Sequence, residues 1–347
     1  MSYRFVVKLR LQVVFGIVMS LFITLVAVPS QASYNGTIDY SNDRIVPFSF
    51  EPAGTHPQWS GFLYSPRIVF GAAHSVTVTD NDGKQVRKDH PDIYVGIPNT
   101  KFSRELKRVK VVKIFASPQF RFDNAGLGDF AIYVLEADLA NVKPVRLMTR
   151  EIEKELTEAK AFVNLHGFGE FQDRCLPGES LPCSQKPNSN TIEPRSLSLQ
   201  IRPYEDYKAL VGYERPQLMG ELLTWQPGRS SPCGGDSGGS LTTTYQGAML
   251  YLSVSGNGMN GYACGATNRF DGIGGIGYAS QIYKHLDTLA LAEAYVKNML
   301  DQESPAKPQV ITKPTPKPIT ITCVKGKTIL KVTKVNPVCP KGYTKKK

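Results

Sequence analysis

Residues 232–241 read PCGGDSGGSL, four glycines around one aspartate and one serine. Glycine loses more backbone freedom on folding than any other residue, so this density costs stability unless the chain must adopt conformations that a Cβ forbids. A tight hairpin asks for one or two glycines. Four of them around a single hydroxyl ask for successive backbone N–H groups that converge on one point. A serine hydroxyl is weak at neutral pH, and it attacks only with a base beside it and donors aimed at the oxyanion it creates. The stretch is therefore read as a candidate nucleophile, Ser237, on a loop that doubles as an oxyanion hole.

Two contexts accommodate such a serine. G-D-S-G-G fits the G-x-S-x-G elbow of α/β-hydrolases, which sits between a buried strand and a helix. Here WQPGRSSPCGG precedes the serine and SLTTTYQGAMLYLSV follows it. The first is a Pro/Gly loop and the second is strand-like, so the elbow fails on context.

The rest of the body agrees with a β-protein. RIVFGAA (67–73), VKVVKIF (109–115), DFAIYVLE (129–136), KAFVNLHGF (160–168) and MLYLSVSG (249–256) are short runs rich in Val, Ile, Tyr and Phe. Gly, Pro, Asn and Asp separate them, the strand-and-turn signature of an all-β sandwich or barrel. Two helices interrupt it. REIEKELTEAKA (150–161) reads as a surface helix with i, i+4 charge pairs, and YKHLDTLALAEAYVKNML (283–300) carries an apolar face at helical spacing.

GAAHSV (71–76) places His74 after an apolar strand and two small residues, and LGDFAIYVLE (127–136) places Asp129 at the start of a strand. The other four histidines (56, 90, 166 and 285) have no such setting, and Asp123 falls in a loop. The order His, Asp, Ser is one of the known orders of a serine triad. With these three motifs the chain resembles the chymotrypsin/trypsin-like serine proteases over about residues 45–300. The resemblance implies two antiparallel β-barrels with the site in the cleft between them, closed by a C-terminal helix. Residue by residue, it implies Ser237 as nucleophile, His74 as base and Asp129 as its orienting carboxylate. It also implies Gly235 and Ser237 as oxyanion donors, and Ser255 and Gly256 as a segment that pairs with substrate backbone. It implies a disulfide between Cys233 and Cys264 beside the primary specificity pocket. Ser75 stands where many animal relatives have a cysteine, which points to a bacterial branch.

The specificity position, six residues before the nucleophile, is Ser231. Gly258 implies one open wall, and Gly275 or Gly277 the other. A serine cannot pair with Arg or Lys, so the expectation is a large apolar or aromatic P1 side chain, with Asp271 as the residue able to restore a basic preference. Arg44-Ile45-Val46 matches the family's activation site, where a freed Ile45 ammonium would pair with Asp236. The following Pro-Phe departs from the usual Gly-Gly, and the alternative is that RIVPF is simply a strand and the enzyme is active without this cut. On this reading residues 33–44 form a propeptide and 45–302 the protease domain.

The N-terminus carries Arg4, Lys8 and Arg10, an apolar run from Leu11 to Val28, and the small-residue site Ser30-Gln31-Ala32. This is the pattern of a secretory signal cleaved after Ala32, residues 1–32, with an uncleaved membrane anchor as the alternative; in either case the remainder is expected to be extracellular, with cell-surface association through the tail. In an oxidising compartment the six cysteines (175, 183, 233, 264, 323 and 339) can pair. Six cysteines allow fifteen connectivities. Nearest-neighbour pairing would join Cys175–Cys183, Cys233–Cys264 and Cys323–Cys339. No C-x-x-C is present, and no metal or cofactor is expected.

The net charge of +11 is not spread evenly: residues 303–347 hold eleven Lys and one Glu, whereas 45–302 hold 26 basic and 27 acidic side chains. The body has no reason to bind nucleic acid. The Pro/Lys/Thr stretch 303–321 reads as an extended linker and 322–347 as a small module stapled by its two cysteines. Its basicity suits an anionic cell wall or membrane surface. The expected function is a secreted serine endopeptidase acting on proteins or peptides. The alternatives are a serine esterase or a catalytically silent binding protein of the same fold, though such proteins usually lack one triad member and this chain has all three.

Overall fold

The structure, a computed structural model, describes residues 36–50, 52–79, 85–87, 92–121, 127–169, 192–225, 231–259, 275–303 and 317–347. It divides into two units, up to Asn298 and from Met299 onward.

In the first unit, six strands close a barrel: Ile45–Ser49, Trp59–Ser65, Ile68–Gly71, Ala131–Leu135, Arg108–Ala116 and Tyr94–Gly96, which returns to the first through Phe48 opposite Val95. The runs expected as strands at 67–73, 109–115 and 129–136 are among them. Their inward residues, including Val46, Phe48, Leu63, Val69, Val95 and Tyr133, form one buried cluster. A second, curled sheet runs in the order Arg146–Leu147, Ala248–Val254, Ser240–Tyr245, Phe162–Gly167, Arg195–Arg202, Leu222–Trp225, Ile276–Ala279 and Asn257–Met259. Tyr251 of this sheet packs on Phe62 and Phe70 of the barrel, with ring centroids 4.6 and 5.1 Å apart. Tyr251 is fully buried. An aromatic wall thus joins the two halves and fixes the cleft between them.

Both expected helices form. Arg150–Glu158 is capped by the Thr149 side chain, which accepts from the Ile152 N–H, and it buries Ile152 and Leu156. Leu286–Glu303 buries Thr288, Leu289 and Ala292 in its first turns.

In the uncut chain the N-terminal stretch is part of the barrel. Ile45 and Val46 are barrel residues, both buried, with Ile45 opposite Phe62 and its carbonyl accepting from the Asn99 N–H. The Arg44 carbonyl accepts from the Leu63 N–H at 2.7 Å, and its guanidinium reaches the Leu63 and Tyr64 carbonyls. The Arg44–Ile45 bond therefore lies in the barrel wall, and a terminus released there could reach Asp236 only by breaking this pairing. The stretch read as a propeptide is also part of the body. Thr37–Ile38 pairs with Ser196 and Arg195, the Asp39 N–H donates to the Pro194 carbonyl, and the Tyr40 carbonyl accepts from the Asn99 side chain. The physical reason is that IVPFS is a β-branched and aromatic run whose barrel partners lie far along the chain.

The second unit carries an antiparallel sheet of Ile319–Lys325, Thr328–Lys334 and Thr344–Lys345. A disulfide joins Cys323 and Cys339. The first strand begins inside the stretch read as linker, because ITIT alternates as a strand and Ile319 pairs with Lys334. The signal segment, Cys175, Cys183, Cys264 and Asp271 lie outside the described residues. Among the described residues no helix is long and apolar enough to cross a membrane.

Candidate active site

The site grows from three backbone segments, each held by its own bonds. The first is Ala72-Ala73-His74, at the end of the barrel strand Ile68–Gly71. The Tyr133 hydroxyl donates to the Ala72 carbonyl at 2.7 Å, and the Ala73 carbonyl accepts from the Val76 N–H, the Thr77 N–H and the Thr77 hydroxyl. His74 thus projects from a fixed turn. Its two small predecessors are buried, so nothing larger would fit behind it.

The second segment carries Asp129. The Phe130 carbonyl accepts from the Ser117 N–H at 2.8 Å, and the Phe130 ring lies between Phe70 and His285. Asp129 is 2% exposed. One carboxylate oxygen accepts the His74 backbone N–H at 2.9 Å and the other meets the imidazole Nδ1 at 2.5 Å. This double grip places the proton on Nδ1 and leaves Nε2 with its lone pair.

The third segment is the glycine-rich loop. Gly235 and Gly238 have φ of 89° and 80°, in the left-handed region that favours glycine. A Cβ at Gly238 would also overlap the Ser60 carbonyl oxygen and lie 3.0 Å from the Ala72 nitrogen. The residue after Ser237 is therefore pressed against the segment that carries His74. The Ser60 N–H donates to the Ser237 carbonyl at 3.0 Å, and the Asp236 N–H and Gly239 N–H close turns onto Cys233 and Asp236. Asp236 is fully buried, and its carboxylate accepts from the Gly169 N–H and the Cys233 N–H, both at 2.9 Å. The anion expected to await a freed ammonium thus organises the loop through backbone amides.

Ser255 is drawn to the same loop. Its carbonyl accepts from the Gly238 N–H at 2.7 Å, and its N–H donates to the Gly239 carbonyl. A Cβ on Gly256 would lie 3.4 Å from the Asp129 carboxylate. The expected site residues His74, Asp129, Gly235, Ser237, Ser255 and Gly256 are therefore tied into one place in the fold. Ser231 is buried, and a Cβ on Gly275 would approach its Cβ at 3.0 Å. Gly258 pairs with Gly277 across the two last strands of the sheet. Cys233 is disulfide-bonded.

Two further histidines are structural. Burial lowers His166 to about 4, against the opposing pull of Asp39, whose carboxylate lies 3.6 Å away. Burial lowers His285 to about 3, with Lys284 adding to the shift, while its Nε2 meets the Ser280 hydroxyl. Both are neutral at pH 7. The sequence reading did not single out Ser60. Its neighbours in the chain, Trp59 and Gly61, give no local signal of a role, because its partners are 108 and 175 residues away.

A cleft between two curled β-sheets, with a carboxylate-held imidazole on one wall and a glycine-cradled serine on the other, is the architecture of the two-barrel serine hydrolases. Comparison with protein families agrees: the trypsin family model matches residues 41–282, more than two thirds of the chain, and the chain belongs to that family. A comparison with curated proteins found no match.

Proposed function

We propose that the chain is an exported serine endopeptidase, released by cleavage after Ala32, that hydrolyses peptide bonds through Ser237, His74 and Asp129. The observation that carries the reading is the double grip of Asp129 on His74, within a fold that packs the Ser237 loop against the same turn. Nε2 of His74 takes the Ser237 proton as Oγ attacks the scissile carbonyl, then delivers it to the leaving amine. The Gly235 and Ser237 N–H groups receive the oxyanion, in a loop already ordered and so needing little reorganisation during the reaction. Water, deprotonated by the same imidazole, then releases the acyl group.

The P1 side chain is proposed to be large and apolar or aromatic. An uncharged, buried Ser231 and the glycines at 258, 275 and 277 support this. With chromogenic peptides that differ only in P1, kcat/KM for Phe or Leu is expected to exceed that for Arg by about 100-fold, since a buried pocket without a counter-charge rejects a guanidinium. A preference for Arg would contradict the proposed pocket.

A further inference from the structure

We propose that the C-terminal module, residues 319–347, docks the protein on anionic lipid bilayers. From Ser304 to Lys347 the chain holds eleven lysines and no acidic residue. The folded part of this stretch also leaves large aliphatic side chains in water: Val338 is 79% exposed, Ile319 and Ile329 61%, Val335 43% and Leu330 40%. On one face of the sheet Val324 lies opposite Ile329, with Lys331 two residues further along, and on the other face Ile319 lies opposite Lys334, so aliphatic and cationic side chains adjoin on both faces. The disulfide holds Val338 next to Cys339, tied to the first strand through Cys323.

Charge complementarity selects an anionic partner. The exposed aliphatics select a bilayer over a hydrophilic polyanion, because a polymer of phosphates or sulfates would give them nothing to enter, whereas a lipid interface combines anionic headgroups with acyl chains. The test uses the full exported chain, sedimented with vesicles of phosphatidylcholine alone or with about 30% phosphatidylglycerol. Partitioning is expected to be at least about tenfold stronger on the anionic vesicles and to weaken as salt rises. The exposed pair Ile329→Ser/Val338→Ser, which leaves every charge in place, is expected to reduce it several-fold. Absence of binding to anionic vesicles overturns the proposal. So does binding that this pair leaves unchanged and that soluble polyphosphate competes away, which would make the module a polyanion binder. The result does not depend on peptidase activity.

A separate set of contacts carries a second inference. The geometry points to Ser60 as a positioning residue for the oxyanion loop, an inference that rests on the peptidase reading above. Ser60 is fully buried in the barrel strand Trp59–Ser65. Its hydroxyl donates to the Gly235 carbonyl and accepts from the Phe168 N–H, both at 2.8 Å, while its own N–H holds the Ser237 carbonyl. One residue of the barrel thus pins the loop on both sides of Asp236.

Ser60→Ala removes the bonds to Gly235 and Phe168 and keeps the one to Ser237. A tenfold to hundredfold loss of kcat with KM within about threefold is expected, less than for removal of an oxyanion donor itself. Unchanged kcat, or a loss that only tracks the fraction unfolded at the assay temperature, overturns this assignment. A wild-type protein that is itself inert would instead count against the peptidase reading.

Discussion

Replacing Ser237 with alanine is expected to reduce kcat by about 10⁶-fold, the size of effect known for nucleophile removal in other serine peptidases. Without Oγ no acyl-enzyme can form. Whatever turnover remains must come from water attacking a substrate held by the loop and its donors. KM should change little, because the bonds that shape the loop all involve other atoms: the Ser237 carbonyl with Ser60, the Asp236 carboxylate with Gly169 and Cys233, and Ser255 with Gly238 and Gly239. Steady-state kinetics on a good P1 peptide measures both constants. A variant that retains more than about a hundredth of the wild-type kcat would show that another group attacks, since no positioning effect of one hydroxyl accounts for so small a loss.

The second large effect is expected at Asp129. Asp129→Asn keeps shape and volume, so the strand Ala131–Leu135 and the Phe130 stack should persist. Its chemistry is not kept. The carboxylate accepts from two donors at once, the His74 N–H and the imidazole Nδ1. A carboxamide has one oxygen, and its nitrogen donates. When the oxygen serves the backbone N–H, the amide nitrogen faces Nδ1 and favours the tautomer with its proton on Nε2, which can no longer accept from Ser237. A loss of about 10⁴-fold in kcat is expected, as for the same change in other triads. The thermal midpoint should move by only a few degrees. A loss of tenfold or less would mean that Asp129 is a structural cap for the His74 turn and that the histidine is oriented by something else.

These expectations rest on features that differ in how far the sequence reveals them. The glycine loop is legible because glycine tolerates what other residues do not, and both Gly235 and Gly238 take up positive φ. His74 is legible because two small residues must precede it where the barrel closes against Tyr133. Asp129 is legible from its place at a strand start. In each case the local chain carries the constraint. Arg44-Ile45-Val46 is ambiguous for the opposite reason. Ile-Val is both a released terminus and a good strand, and only the distant partners Phe62, Leu63 and Asn99 distinguish the two. Thr37–Ile38 likewise looks like a solvated leader until it pairs with Ser196 and Arg195. Ser60 is invisible in sequence, since its role is set by the distant Phe168, Gly235 and Ser237.

The place of Ile45 in the uncut chain bears on how the site would be switched on. The carboxylate of Asp236 already accepts two backbone amides, and the strand that begins at Ile45 is part of the barrel wall. In the uncut chain the glycine-rich loop is tied to the barrel through Ser60 and to the second sheet through Gly169.

The most direct test of the central claim is covalent. The exported protein, without any cut at Arg44, is treated with a fluorophosphonate and its mass and adduct site are determined. A single adduct on Ser237, absent from Ser237→Ala and slowed in Asp129→Asn, is the predicted result. An unlabelled wild-type protein, or an adduct on any other residue, would contradict it.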